Sequence, residues 1–201
     1  MVMNFIAILV SYLIGSLSFA IIISKYFKLT DPRQYGSKNA GATNVMRSGN
    51  KKAAVLTLLG DFLKGLLVVI GAKLYFMGNI NYEINIALCA IMVVLGHIYP
   101  VFFAFKGGKG VATALGVIFG ISWVLALIVV AVWLIVFKIS KISSLSAIMA
   151  VILAPIFAYL LLGNGIYFGV ILIISFFILY THKANIYRLI SNQEHSFKSD
   201  K

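Results

Sequence analysis

One long apolar run after another sets the first limit on this chain. A helix needs about 20 predominantly apolar residues to cross the hydrocarbon core of a bilayer. Residues 4–24, 53–77, 84–104, 142–162 and 165–180 each provide such a run. A further stretch, 111–137, reads either as one tilted helix or as a short helix 111–119 followed by a second from about 121 to 137, turning near Gly120. Backbone polar groups in lipid must be satisfied within the segment. The fold class expected is therefore all-α and polytopic, a single integral membrane domain over residues 1–201. With 62% hydrophobic and 11% charged residues, the chain cannot cover its own surface with polar groups. That excludes a soluble domain, and disorder with it.

Charge chooses among the topologies. There are 17 Lys and Arg against 5 Asp and Glu, a net charge of +12. If 111–137 counts twice, the chain crosses about seven times. The linker 25–52, the loops 105–110 and 138–141 and the C-terminal tail then share one side and hold 15 of the 17 basic residues. The positive-inside rule makes that side cytoplasmic and leaves the N-terminus outside. A re-entrant 111–120 segment satisfies the same parity. The basic residues lie between apolar runs rather than along one face, so lipid headgroups and anionic substrates are expected as partners, and nucleic acid is not. Lys73 can snorkel from near the end of its span. Asp61 and Lys64 stand at i, i+3 within the second span and can pair; with His97 they are expected to be structural or to support the site from behind. The polar tail is expected to fray from about residue 191, with His195 idle in it.

Most of the chemistry-bearing residues lie in three short segments. The first, Gly36-Ser37-Lys38-Asn39-Ala40-Gly41-Ala42-Thr43-Asn44-Val45-Met46-Arg47, combines glycines, short donors and one guanidinium fork suited to phosphate oxygens. The second runs from Gly96 to Thr113, and its Lys106-Gly107-Gly108-Lys109-Gly110 turn opens directly into an apolar helix. Backbone N–H groups at such a helix start can hold a phosphate, although the Walker A spacing is missing. The third runs from His182 to Glu194. If it is helical, His182 shares a face with Asn185, and Asn185 with Arg188. The three segments are rich in donors and cations and poor in carboxylates, so no metal site and no cofactor is expected. Neither the soluble-type His-x4-Asp acyltransferase motif nor a G-x-S-x-G elbow occurs. From these residues alone, the chain is a membrane protein that binds phosphate groups.

The same residues carry a family resemblance. GSKNAGATNVMR (36–47), GHIYPVFFAFKGGKGVAT (96–113) and HKANIYRLISNQE (182–194) resemble, in order, the three motifs of the bacterial acyl-phosphate:glycerol-3-phosphate acyltransferases, the PlsY family. The similarity spans nearly the whole chain and includes Gly15–Ala20 and Asp61–Gly65. Three positions depart from the family pattern. Lys38 and Asn192 stand where glycine is usual, and Ala40 where proline is common. Asn tolerates left-handed backbone angles well; Lys38 tests the loop geometry more severely.

The resemblance implies transfer of a fatty acyl group from acyl-phosphate to the 1-hydroxyl of glycerol 3-phosphate, giving 1-acyl-glycerol 3-phosphate (lysophosphatidic acid) and phosphate. This is the first acylation of phospholipid synthesis, at the cytoplasmic face of the bacterial inner membrane. It implies catalytic roles for Ser37, Arg47, Lys106, His182 and Asn185. Asn39, Gly41, Thr43, Asn44, Gly107, Gly108, Lys109 and Arg188 would bind substrate or shape its loops. Whether His182 or a substrate phosphate is the base stays open, as do chain-length preference and oligomeric state. The rival classes are an anion transporter, which would carry broken helices at mid-depth, and a noncatalytic lipid-binding subunit.

Overall fold

The computed structural model describes residues 2–196, with side chains from Asn4 onward. Lys198, Asp200 and Lys201 of the basic tail lie outside the described residues. Among the described residues the chain is helical, with no strand. The elements are α1 (Val2–Gly15), α2 (Phe19–Tyr26), α3 (Ala42–Met46), α4 (Lys51–Tyr75), α5 (Tyr82–Ile98), a 3-10 turn (Val101–Phe103), α6 (Val111–Ile121), α7 (Trp123–Ser140), α8 (Ser143–Leu162), α9 (Ile166–Thr181) and α10 (Lys183–Ile190). They form two compact units, residues 1–121 and 122–201.

Four segments are long and apolar enough to cross a membrane: Lys51–Tyr75, Tyr82–Phe103, Trp123–Ser140 and Ser143–Leu162. Two bent pairs qualify if each is one span, Asn4–Gly15 with Phe19–Tyr26 at 44° and Ile166–Thr181 with Lys183–Ile190 at 60°. That gives up to 6 spans, and the remaining apolar helix, α6, is the short one. Its eleven residues rise about 16 Å, roughly half the hydrocarbon core.

Three expectations about the spans are corrected. The run 4–24 is not one helix: it breaks between Gly15 and Phe19. The break frees carbonyls that lipid cannot satisfy, and Lys64 Nζ donates to two of them, Gly15 at 2.9 Å and Leu17 at 2.8 Å. The division of 111–137 is confirmed, but the turn falls at Ser122 rather than at Gly120. Ser122 caps α7, its hydroxyl accepting from the Leu125 N–H at 3.3 Å, while Gly120 stays within α6 and packs on Val69. Lys73 does not snorkel freely. Its Nζ donates to the Gly120 carbonyl at 2.7 Å, capping the exposed end of α6.

The first unit is built on close backbone packing. α4 lies along α6 and α1 along α5. A Cβ on Gly65 would collide with the Thr113 carbonyl, and one on Gly116 with the Phe62 carbonyl. Small residues let membrane helices approach this closely. The same packing fixes α6, and so the turn that precedes it, against the long helix α4. In the second unit α7, α8 and α9 pack in sequence, with Pro155 inside α8.

Candidate functional site

The loop between α2 and α4 is organised by one buried side chain. Asn44, 1% exposed, donates from Nδ2 to the carbonyls of Pro32 at 2.6 Å and Tyr35 at 3.2 Å. Its Oδ1 accepts from the Ser37 N–H at 3.0 Å. Its amide is wholly engaged with loop backbone. Of the two roles expected of Asn44, its geometry serves the shaping of the loop and not direct contact with a phosphate.

Gly36 takes φ +57°, and a side chain there would run into Asn44 Oδ1 and the Arg47 side chain. The Arg47 guanidinium therefore lies across Gly36, with Arg47 capping the short helix α3. Lys38 sits at φ +55°, the left-handed region that made its substitution for glycine notable. Gly41 begins α3 in extended conformation, its N–H on the Asn39 carbonyl at 3.0 Å. Ser37, Thr43 and Arg47 are exposed and Asn39 half-buried.

A bidentate Asp31–Arg33 pair braces the start of this loop, at 2.7 Å for the shorter contact. Hydrogen bonding from Arg33 holds the Asp31 carboxyl below its usual range. Arg33 Nη1 also reaches the Phe103 carbonyl at 3.4 Å, tying the first polar segment to the second.

The second segment meets the first at Gly108. Its N–H donates to the His97 carbonyl at 3.1 Å. A Cβ on Gly108 would strike the His97 ring and stand 2.6 Å from the Ala40 carbonyl. Gly107 is packed as tightly, against the His97 carbonyl and Pro100. Two left-handed residues, Ala104 and Phe105, and then Gly110 at φ +90° steer the chain through this turn into α6. Lys106 is exposed beside it and Lys109 half-buried. The structure thus brings Ser37, Asn39, Gly41, Thr43, Asn44 and Arg47 into one loop and seats Gly108, beside Gly107, against that loop.

Asp61, Lys64 and His97 lie directly behind the turn. Lys64 Nζ is 3.0 Å from Asp61 Oδ1, and His97 Nδ1 is 3.4 Å from the same oxygen. All three are at least 95% buried. A charge at such depth is tolerable only when paired, and here the pair also serves the broken first span.

His182, Asn185 and Arg188 belong to the second unit. His182 ends α9 and begins α10, 3% exposed. Its Nδ1 lies 2.8 Å from the Ile178 carbonyl. A carbonyl only accepts, so Nδ1 carries the hydrogen and Nε2 is the basic nitrogen. Asn185 and Arg188 share a face, as expected, and both bind Glu194: Asn185 Nδ2 to Oε1 at 2.8 Å and Arg188 Nε to Oε2 at 2.7 Å. The Ser144 hydroxyl donates to Oε1 at 3.0 Å.

Glu194 was given no role by the sequence, and the tail was expected to fray from about 191. Within the described residues the chain turns back after α10, with Asn192 at φ +56° and the Gln193 N–H on the Arg188 carbonyl at 2.7 Å. Burial raises the Glu194 pKa, but the hydrogen bonds from Arg188, Asn185 and Ser144 outweigh it and hold the carboxyl below its usual range. The signal was a carboxylate in a tail rich in basic residues, six residues after Arg188.

Known proteins are similar to this chain over nearly its whole length. The family described as glycerol-3-phosphate acyltransferase matches residues 5–192. A glycerol-3-phosphate acyltransferase of Chromobacterium violaceum is 52% identical, over 94% of this chain and 93% of that protein. One from Neisseria meningitidis serogroup C is 49% identical, over 95% and 96%. Among solved structures, PlsY, an integral membrane glycerol 3-phosphate acyltransferase, superposes with a TM-score of 0.90 in its glycerol 3-phosphate form. It is 41% identical, over 96% of this chain and 95% of that one. Its lysophosphatidic acid form gives 0.88. The chain belongs to the glycerol-3-phosphate acyltransferase family.

Proposed function

We propose that this protein transfers a fatty acyl group from acyl-phosphate to the 1-hydroxyl of glycerol 3-phosphate, at the cytoplasmic face of the bacterial inner membrane. Acyltransfer to glycerol 3-phosphate is supported by the family and by the solved neighbour with its glycerol 3-phosphate and lysophosphatidic acid forms. The donor is inferred from chemistry. Acyl-phosphate is a mixed anhydride with a good leaving group, and the three segments offer cations and donors but no strong protein nucleophile.

The observation that carries the reading is the seating of Gly108 against the Ala40 carbonyl. It joins a loop bearing Ser37 and Arg47 to a glycine turn bearing Lys106, at the start of a helix. Two anionic substrates must be held together, and this joined pair of loops supplies the countercharge. Ser37 and Arg47 grip one phosphate; Lys106 and the Gly107–Gly108 backbone, with Lys109, take the other phosphate or the oxyanion formed when the hydroxyl attacks the carbonyl carbon. The tetrahedral intermediate then expels phosphate. Positioning of this kind supplies roughly 7–11 kcal/mol of barrier lowering, and fixed donors at the oxyanion add to it. His182 and Asn185 position glycerol 3-phosphate, a role that rests on the resemblance alone. The proton passes to His182 Nε2 or to a substrate phosphate.

Acyl transfer by the detergent-purified protein tests this, with acyl-phosphate, acyl-CoA and acyl-carrier protein as donors, each with and without EDTA. Product from acyl-phosphate alone, insensitive to EDTA, is expected. Arg47→Ala and Lys106→Ala, both at exposed positions, should each abolish turnover and leave thermal unfolding unchanged. Product from acyl-CoA defeats the donor assignment, and near-wild-type turnover in either variant defeats the phosphate assignment.

A further inference from the structure

We infer that His97, held by Asp61, is a positioning residue that sets the shape of the Gly107–Gly108 turn. The inference rests on the reading of that turn as a phosphate site and adds the element that holds it in shape. Three contacts from one residue converge on the turn. The His97 carbonyl accepts the Gly108 N–H at 3.1 Å, the same carbonyl closes the space beside Gly107, and the imidazole ring closes the space beside Gly108. The Ala40 carbonyl closes the same space beside Gly108, so ring and turn meet where the loop that carries Ser37 and Arg47 comes in.

Why a histidine should stand here follows from what faces its ring. Nδ1 has no hydrogen-bond partner among the described residues, and the nearest acceptor is Asp61 Oδ1 at 3.4 Å. The carboxylate draws that edge of the ring toward itself by charge rather than through a formed hydrogen bond. Asp61 is itself fixed by Lys64, whose ammonium also takes the carbonyls of Gly15 and Leu17. A path of polar contacts therefore runs from the break in the first span through Lys64, Asp61 and His97 to the glycine turn. A plain apolar residue at position 97 could fill the space, but it would not be oriented by the carboxylate.

A positioning role and a bracing role differ in kinetics. Loosening a binding turn weakens substrate binding, so KM rises; loss of mere stability lowers the active fraction, so apparent kcat falls with KM unchanged. The test uses the full chain in detergent, with KM measured for both phosphate-bearing substrates. His97→Asn and Asp61→Ala are each expected to raise KM for at least one of them by about tenfold or more, a displacement of the order of 1 Å being enough for such losses. The double variant should be no worse in KM than His97→Asn alone, because both act along one path.

A second measurement needs no variant. In hydrogen–deuterium exchange of the wild-type protein, the segment 106–110 should exchange more slowly than 101–105, and more slowly still with inorganic phosphate. An unchanged KM for both substrates in folded His97→Asn overturns the inference. So do effects of the two variants that multiply, or exchange of 106–110 at the rate of an open loop. Failure of the underlying reading looks different: there Lys106→Ala stays active, whereas here Lys106→Ala is dead and the His97 variant binds substrate normally.

Discussion

Asn44→Asp isolates what holds the first polar loop in shape. The substitution is nearly isosteric and keeps an oxygen for the Ser37 N–H. It replaces the two-hydrogen donor that serves Pro32 at 2.6 Å and Tyr35 at 3.2 Å with an oxygen facing both carbonyls. Each buried carbonyl that loses its donor costs about 1–3 kcal/mol, so the pair costs about 2–6 kcal/mol before any penalty for burying the carboxylate. The lower figure already corresponds to roughly a 30-fold loss of correctly folded loop. The penalty also titrates. A protonated carboxyl can donate to the Pro32 carbonyl again, so the new group has a folded pKa above its unfolded value of about 3.9. Stability relative to wild type is then nearest to normal below that unfolded value and is lost as pH rises from it through the folded pKa. The assay is hydrogen–deuterium exchange over residues 31–47 together with kcat/KM at neutral pH. Faster exchange and a loss of at least 30-fold in kcat/KM are expected together. If KM rises while exchange stays slow, Asn44 touches substrate and the argument from its buried hydrogen bonds is wrong.

Two further predictions concern buried charges. Glu194 has a folded pKa below its ordinary value of 4.5. Its contribution is complete above that value and is lost as pH falls through the folded pKa. Glu194→Gln should abolish that acid-side loss, and proteolysis of the C-terminal segment at neutral pH should become faster. Lys64→Met leaves the carbonyls of Gly15 and Leu17 without their donor and Asp61 without its cation. Breaking a buried pair on one side costs about 3–5 kcal/mol, which thermal unfolding in detergent will register, and Asp61→Asn added to Lys64→Met should recover part of it. No recovery would mean that the ammonium matters for the helix break alone.

How far the sequence could be read depended on whether a feature is local. Periodic apolar runs mark helices wherever they occur, and the split of 111–137 was visible as an excess of length. Its position was missed because Gly120 is the residue that draws the eye, whereas the helix start is written by Ser122 as an N-cap. Lys38 and Asn192 were noticed against the family pattern, as replacements for glycine, and both hold left-handed angles, +55° and +56°; a backbone demand of this kind is borne by a single residue. Glu194 was not legible as an organising residue, and Asn44 was expected to shape its loop only through the family resemblance. Their partners are backbone groups and side chains 6 to 50 positions away, and no spacing rule reports such contacts. The same holds for the break in the first span. Nothing within residues 4–24 announces a bend beyond Ser16 and Ser18, because what permits it is Lys64, forty-seven residues after Leu17. A charge deep in an apolar helix was the trace of that break left in the sequence. It could be recognised as a demand for partners before the partners themselves could be named.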